Sequence, residues 1–143
     1  KYNGNIIEEW MLDSFIGEKL NPFWFPWVEG SSNDGTGEWF EVRLNSPQKV
    51  CYVLNGFVDM YRPHLYKMNS RIRKARIISE TVSGDVITQE IIFPDFIHFK
   101  TILFTEPVIK IRILIMSTYP GEKWQDCAIS AIMFPSRSEW RKK

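Results

Sequence analysis

From Glu38 to Phe134 the apolar residues of this chain recur at every second position, in short runs separated by turn signals. Phe40, Val42 and Leu44 alternate with Trp39, Glu41 and Arg43, which gives a strand one apolar and one polar face. Further strands are expected at 49–57, 71–79, 86–93, 96–104, 108–116 and 128–134. Asn45-Ser46-Pro47-Gln48, Asn55-Gly56, Ser83-Gly84-Asp85 and Pro120-Gly121 supply the turns between or beside them. Seven or so short strands at such spacing predict an all-β fold, an antiparallel sandwich or barrel. No βαβ alternation occurs, which excludes a parallel Rossmann-like sheet.

Upstream of residue 38 the pattern changes. Ile7, Trp10, Met11 and Phe15 fall at near-helical spacing with Glu8, Glu9 and Asp13 opposite, so a short N-terminal helix or irregular segment is expected over 6–16. Phe23-Trp24-Phe25-Pro26-Trp27 lies between two prolines and reads as a tethered aromatic loop. The stretch 31–37 reads as an exposed turn, 58–70 and 117–126 as long loops, and 137–143 as a basic tail.

At 143 residues the chain suits one domain, expected to span 1–143, with a core that requires neither disulfide nor metal. A formal charge of +1 argues against a nucleic-acid binder that works by bulk electrostatics. The basic run Arg71, Arg73, Lys74 and Arg76 is split across the two faces of a strand, so no phosphate-tracking stripe forms. No apolar run reaches the ~18 residues of a membrane span. The chain starts at Lys1 without Met and reads as a processed or excised piece of a larger chain. Cys51 and Cys127 either form one disulfide or are two buried thiols. With only His64 and His98 as partners they present no metal-ligand spacing. Catalysis needs a positioned acid, base or nucleophile, and no Ser or Cys elbow is present. Asp126 and Glu38 would pair only if they converged, and both are more simply loop anchors. No enzyme is expected.

Specific residues then carry a resemblance. Trp27-Val28-Glu29-Gly30 with Gly35-Thr36-Gly37-Glu38-Trp39-Phe40-Glu41-Val42 resembles the opening of the bacterial NADase-type glycan-binding domain, a discoidin-like family. Asn55-Gly56-Phe57, then 66–74, then Tyr119-Pro120-Gly121 through Asp126-Cys127-Ala128-Ile129-Ser130 match in order, so about 27–134 is covered. The resemblance implies a galactose-binding-like β-sandwich, or jelly roll, and non-catalytic carbohydrate binding on a secreted or cell-surface bacterial protein. Two departures stand out: the acidic lead-in of such domains is replaced by 21–27, and the Glu after the last strand's Ile-Ser is Ala131.

A sugar site needs an apolar platform and side chains that bond hydroxyls. If 38–44 pairs antiparallel with 50–57, and 108–116 with 38–44, the loops 21–37, 58–70 and 117–126 meet at one end. They carry the candidate ligand-binding residues Trp24, Asn33, Asp34, Tyr61, Arg62, His64, Tyr66, Lys123 and Trp124. Trp24 and Trp124 either pin their own loops or form the platform; Trp27 and Trp39 belong with the fold. Asn69 reads as a turn residue, His98 as an ordinary strand residue, and Glu29 as a partner for Arg71 or Lys74. The expected partner is a glycan or glycoprotein, with a host surface protein or a pure spacer role as the rivals. No cofactor is expected. Calcium is left open, with no clear set of ligand oxygens. The domain is expected to be a monomer within its larger chain.

Overall fold

The computed structural model describes residues 34–59 and 61–135 in full, and the backbone of Ile6–Glu8 and Trp27–Val28. Their order is β1 (Ile6–Glu8), β2 (Trp27–Val28), β3 (Trp39–Asn55), α1 (Leu65–Met68), β4 (Arg71–Thr81), β5 (Val86–Ile92), β6 (Phe99–Tyr119) and β7 (Ala128–Met133). The seven strands are linked in the order β2-β7-β3-β6-β4-β5, with β1 parallel to β3 and every other pairing antiparallel. The fold is the antiparallel β-sandwich that the alternation predicts.

Two strands are far longer than the sequence suggests. β3 runs 17 residues and β6 runs 21. The first half of β3 pairs with the second half of β6, Trp39↔Leu114 to Arg43↔Lys110. Its second half pairs with the first half of β6, Val50↔Leu103 to Leu54↔Phe99. Between these ladders the register shifts twice, at Arg43/Gln48 and Gln48/Val50. The expected turn at 45–48 is therefore a corner inside one strand, and 38–44 and 50–57 do not pair with each other. Pro47, which has no N–H to donate, occupies the interruption, and Pro107 lies beside the matching bend of β6. Each long strand crosses from one layer to the other at this lower rim, where Gln48 and Thr81 both pair with Val108. Both ends of each strand consequently return to the upper rim.

The core lies between the layers. Phe40, Val42, Ile77, Ile111, Ile113 and Ile115 from one side meet Val53, Ile102, Ile129 and Ile132 from the other, all buried. Within each half of β3 and β6 these are the alternate positions that a two-residue period requires, whereas on β7 the register shift opposite Leu54/Asn55 brings Ile129 and Ile132, three residues apart, to the same core. Cys51 and Cys127 are unbridged buried thiols, and burial pushes Cys51 up to about 12. A second small cluster, Leu54, Val58, Tyr66 and Ala131, seats the 56–70 loop against β3 and β7. The expected N-terminal helix begins instead as β1, whose backbone pairs with Glu41–Arg43 of β3; the rest of 6–16 lies outside the described residues. Sheet pairing outweighs a weak local helical spacing there.

Asn55-Gly56 shows why a loop, and not a continued strand, follows β3. The Asn55 amide donates to Ile72 O (2.7 Å) and accepts from Ile72 N–H (3.0 Å), so a side chain replaces one rung of sheet. Gly56 has φ +87°, and a Cβ there would lie 2.7 Å from the Tyr66 ring and 3.0 Å from Arg71 Cγ. Gly56→Ala combines backbone strain with overpacking, an expected loss of about 2–4 kcal/mol. A urea or thermal unfolding curve checks this, and a change below about 1 kcal/mol would mean that the loop relaxes freely.

Candidate functional site

Four connections gather at the upper rim: 34–38, 56–70, 93–98 and 120–127. Arg71, at the first position of β4, holds three of them together. Its side chain is 4% exposed. Nε and Nη2 donate to the two carboxylate oxygens of Asp95 (3.1 and 2.7 Å), a bidentate pair across to 93–98. Nη1 donates to the carbonyls of Lys67, Asn69 and Pro120 (3.3, 3.2 and 3.1 Å), which binds the α1 loop to 120–127. The guanidinium also lies over the rings of Tyr66 (5.2 Å) and Tyr119 (5.6 Å). Lys67 Nζ adds a second cation on Asp95 at 2.8 Å. Partial burial opposes ionisation of Asp95, yet the Arg71 and Lys67 bonds win and hold its carboxyl at about 2. The Tyr66 hydroxyl is buried without a hydrogen-bond partner, and burial, then the Asp95 charge, push its pKa upward.

The 120–127 loop is draped over α1 by main-chain bonds. Glu122 N–H donates to Lys67 O, and Lys123 and Trp124 N–H both donate to Met68 O (3.1 and 2.8 Å). A Cβ on Gly121 would lie 2.0 Å from Trp124 O and 2.7 Å from Met68 O, so the backbones approach as only glycine permits. Trp124 is thereby fixed at its backbone while the residue stays 41% exposed, with Lys123 Nζ 4.7 Å from the ring centre. Asp126 ties the loop down through its carbonyl, which accepts from Ser70 N–H (3.0 Å), and not through its side chain.

The other sequence candidates divide. Tyr61 is 87% exposed, and Arg62 and His64 are exposed beside it on the 56–70 loop. Buried Asp59 anchors that stretch: it accepts from Tyr61 N–H (2.9 Å) and Arg62 Nε (2.9 Å), which lowers its pKa against the opposing effect of burial. Tyr66 is 2% exposed and serves packing. Asp34 accepts from Thr118 Oγ1 (2.7 Å) and Thr36 N–H (3.1 Å), bonds that lower its pKa and moor its turn to β6. Trp24, Asn33 and Glu29 lie outside the described residues. Arg71 takes Asp95 and Lys74 takes Glu90, so each has a carboxylate partner other than the expected Glu29. His98 is not in a strand: it closes the 93–98 loop, its Nδ1 2.7 Å from Phe96 O and its ring stacked on Phe96 at 4.3 Å. Among the described residues no three His, Cys, Asp or Glu side chains gather as a metal site.

Residues 23–135 match the family described as the NAD glycohydrolase translocation F5/8 type C domain. The chain belongs to this family. Among solved structures it is similar to the Streptococcus pyogenes NAD+-glycohydrolase translocation domain, at 21% identity and TM-score 0.53, over 75% of this chain and 93% of that one. It is also similar to the family 32 carbohydrate-binding module of C. perfringens NanJ, solved in complex with galactose, at 18% identity and TM-score 0.57, over 78% and 76% of the two chains. A part of the mycobacterial arabinofuranosyltransferase AftD shares the fold at 14% identity and TM-score 0.52, over 75% of this chain and 8% of that one. Among curated proteins none matches. These likenesses establish a discoidin-like β-sandwich.

Within this translocation domain the break between the expected strands 86–93 and 96–104 is wider than the sequence suggests: 93–98 is a loop, and β6 begins only at Phe99. Pro94-Asp95 was the available signal: Pro removes a rung of the ladder and Asp favours a turn. The loop delivers Asp95 to Arg71 and exposes Phe96 and Ile97, at 59% and 42%. Because Asp95 sits at about 2 in the fold against an ordinary 3.8, its pairing stabilises fully above pH ~4 and is lost as pH falls toward 2. That difference is worth about 2 kcal/mol. Stability measured by urea from pH 5 to pH 2 is expected to fall more steeply for the native chain than for Asp95→Asn. Equal slopes would remove the clamp's electrostatic role.

Proposed function

We propose that this domain is a non-catalytic carbohydrate-binding module of a bacterial protein that works outside the cytoplasm. It takes glycan at the upper rim. The observation that carries this reading is Trp124: a part-exposed residue held in place by main-chain bonds, beside the exposed donor Lys123 and on the same rim as exposed Tyr61, Arg62 and His64. A rigid aromatic face matches the C–H face of a pyranose, and the surrounding donors match its hydroxyls. The galactose complex of the similarly folded NanJ module supports the ligand class. Asp34, Asp59, Tyr66 and Arg71 then act as supports that hold the contact loops still, which limits the ordering cost of binding. No nucleophile or general base is assigned to the rim, and the domain acts by binding.

A second reading, recognition of a protein partner during export of a neighbouring enzyme, is favoured by the family's description and by exposed Phe96 and Ile97 on the same rim. Calorimetry with galactose and lactosamine sugars, preceded by a glycan array, separates the two. Trp124→Ala is expected to weaken sugar binding by roughly 1–3 kcal/mol, with little change in melting temperature. Absence of any array signal, or normal binding by a Trp124→Ala variant that melts several degrees lower, would remove the glycan reading and leave the protein partner. Asp126→Ala is expected to leave stability nearly unchanged, since its tie is made by the main chain.

A further inference from the structure

β5 ends the sheet, and among the described residues no strand pairs with its far edge. Which of its main-chain groups face outward follows from two bonds. Phe93 N–H donates to Arg73 O and Thr81 N–H donates to Asp85 O, each at 2.8 Å. One unbroken register joins them, from Lys74↔Ile92 to Glu80↔Val86. Antiparallel strands exchange bonds at every second pair, so Ile87, Gln89 and Ile91 are spent on β4. The N–H and C=O groups of Val86, Thr88, Glu90 and Ile92 therefore point away from it.

This edge lacks the usual guards. It holds no proline, no lysine and no bulge, and its one charge, Glu90, is held by Lys74 (3.1 Å) and Arg76 (3.0 Å). The side chains at its two ends, Val86 and Ile92, are 65% and 52% exposed.

We propose that β5 is a self-association edge, which pairs antiparallel with β5 of a second copy about a two-fold axis at Gln89. The sequence from Val86 to Ile92 is self-complementary in that register and in no other that uses the whole strand. Val86 meets the second copy's Ile92, Ile87 meets Ile91, and Thr88 meets Glu90. Every outward N–H and C=O then gains a partner, the two exposed apolar ends cover each other, and the two Glu90 carboxylates never face. A shift by two residues in either direction leaves an apolar end uncovered, and one such shift sets Glu90 against Glu90. The result is a continuous sheet running β4-β5-β5-β4 through the axis, an isologous contact. It leaves the upper rim of both copies open and does not depend on the glycan reading. The contact is small against the ~1,600 Å² of a stable interface, so the dimer belongs to high local concentration.

Sedimentation of the 143-residue chain tests this. The mass is expected to rise from 16.9 kDa toward twice that value as concentration approaches about 0.5 mM. Thr88→Pro deletes an outward donor that β4 does not use, and Ile92→Lys charges an exposed end; both are expected to abolish the rise while melting cooperatively. Under mild oxidation Gln89→Cys is expected to cross-link across the axis, where facing Cα atoms lie ~4.5 Å apart. Val86→Cys is not, because its own copy lies ~20 Å away along the strand. Buried Cys51 and Cys127 stay silent. A chain monomeric throughout that range, a dimer indifferent to both substitutions, or cross-linking at Val86 as readily as at Gln89 overturns the proposal.

Discussion

The bidentate bond between Arg71 and Asp95 is the interaction on which the upper rim depends. A guanidinium that is 4% exposed would be costly alone, and here it donates five bonds, two of them to the Asp95 carboxylate. Three of those bonds end on main-chain carbonyls, whose positions are then set by one side chain. Lysine could not substitute, because it lacks the planar fork that reaches Asp95 and three carbonyls at once. The clamp thus converts three separate chain segments into one surface of fixed shape.

Close backbone contact completes what the clamp begins. Gly56 lets the Tyr66 ring and the Arg71 stem lie against the chain, and Gly121 lets the 120–127 loop rest directly on α1. Ser130 Oγ bridges the same region, donating to Gly56 O (2.7 Å) and accepting from Val58 N–H (2.8 Å). The Asn-Gly and Ile-Ser blocks that carry the family resemblance are therefore loop-holding devices. Their chemistry is spent inside the protein, which leaves the exposed side chains between them to face solvent.

The two long strands explain why a rim exists at all. Because β3 and β6 each fold across the lower corner, their four ends rise to one place, and the loops that begin and end there are forced together. Binding surfaces on loops are useful when the scaffold beneath is rigid. Here the scaffold is a core of Phe, Ile and Val packed between layers, and the rim's mooring bonds attach to it directly: Thr118 to Asp34, Asn55 to Ile72, Tyr119 to Phe93.

The two-residue alternation by itself determined the β class, the inward face Phe40, Val42 and Leu44 of the first long strand, and the hairpin turn at 83–85, because burial on one face of a strand is a local pattern. It also marked the Trp124 loop, since Pro120-Gly121 is a local turn signal. It could not reveal that 38–44 and 50–57 are one strand, because a corner with Pro looks the same in sequence whether the chain turns back or crosses between layers. Nor could it find Asp95 as the partner of Arg71, Tyr66 as a buried ring, or Asp34 as a mooring point. Those roles depend on which distant segment arrives beside a side chain, and only the bent path of β3 and β6 through three dimensions decides that.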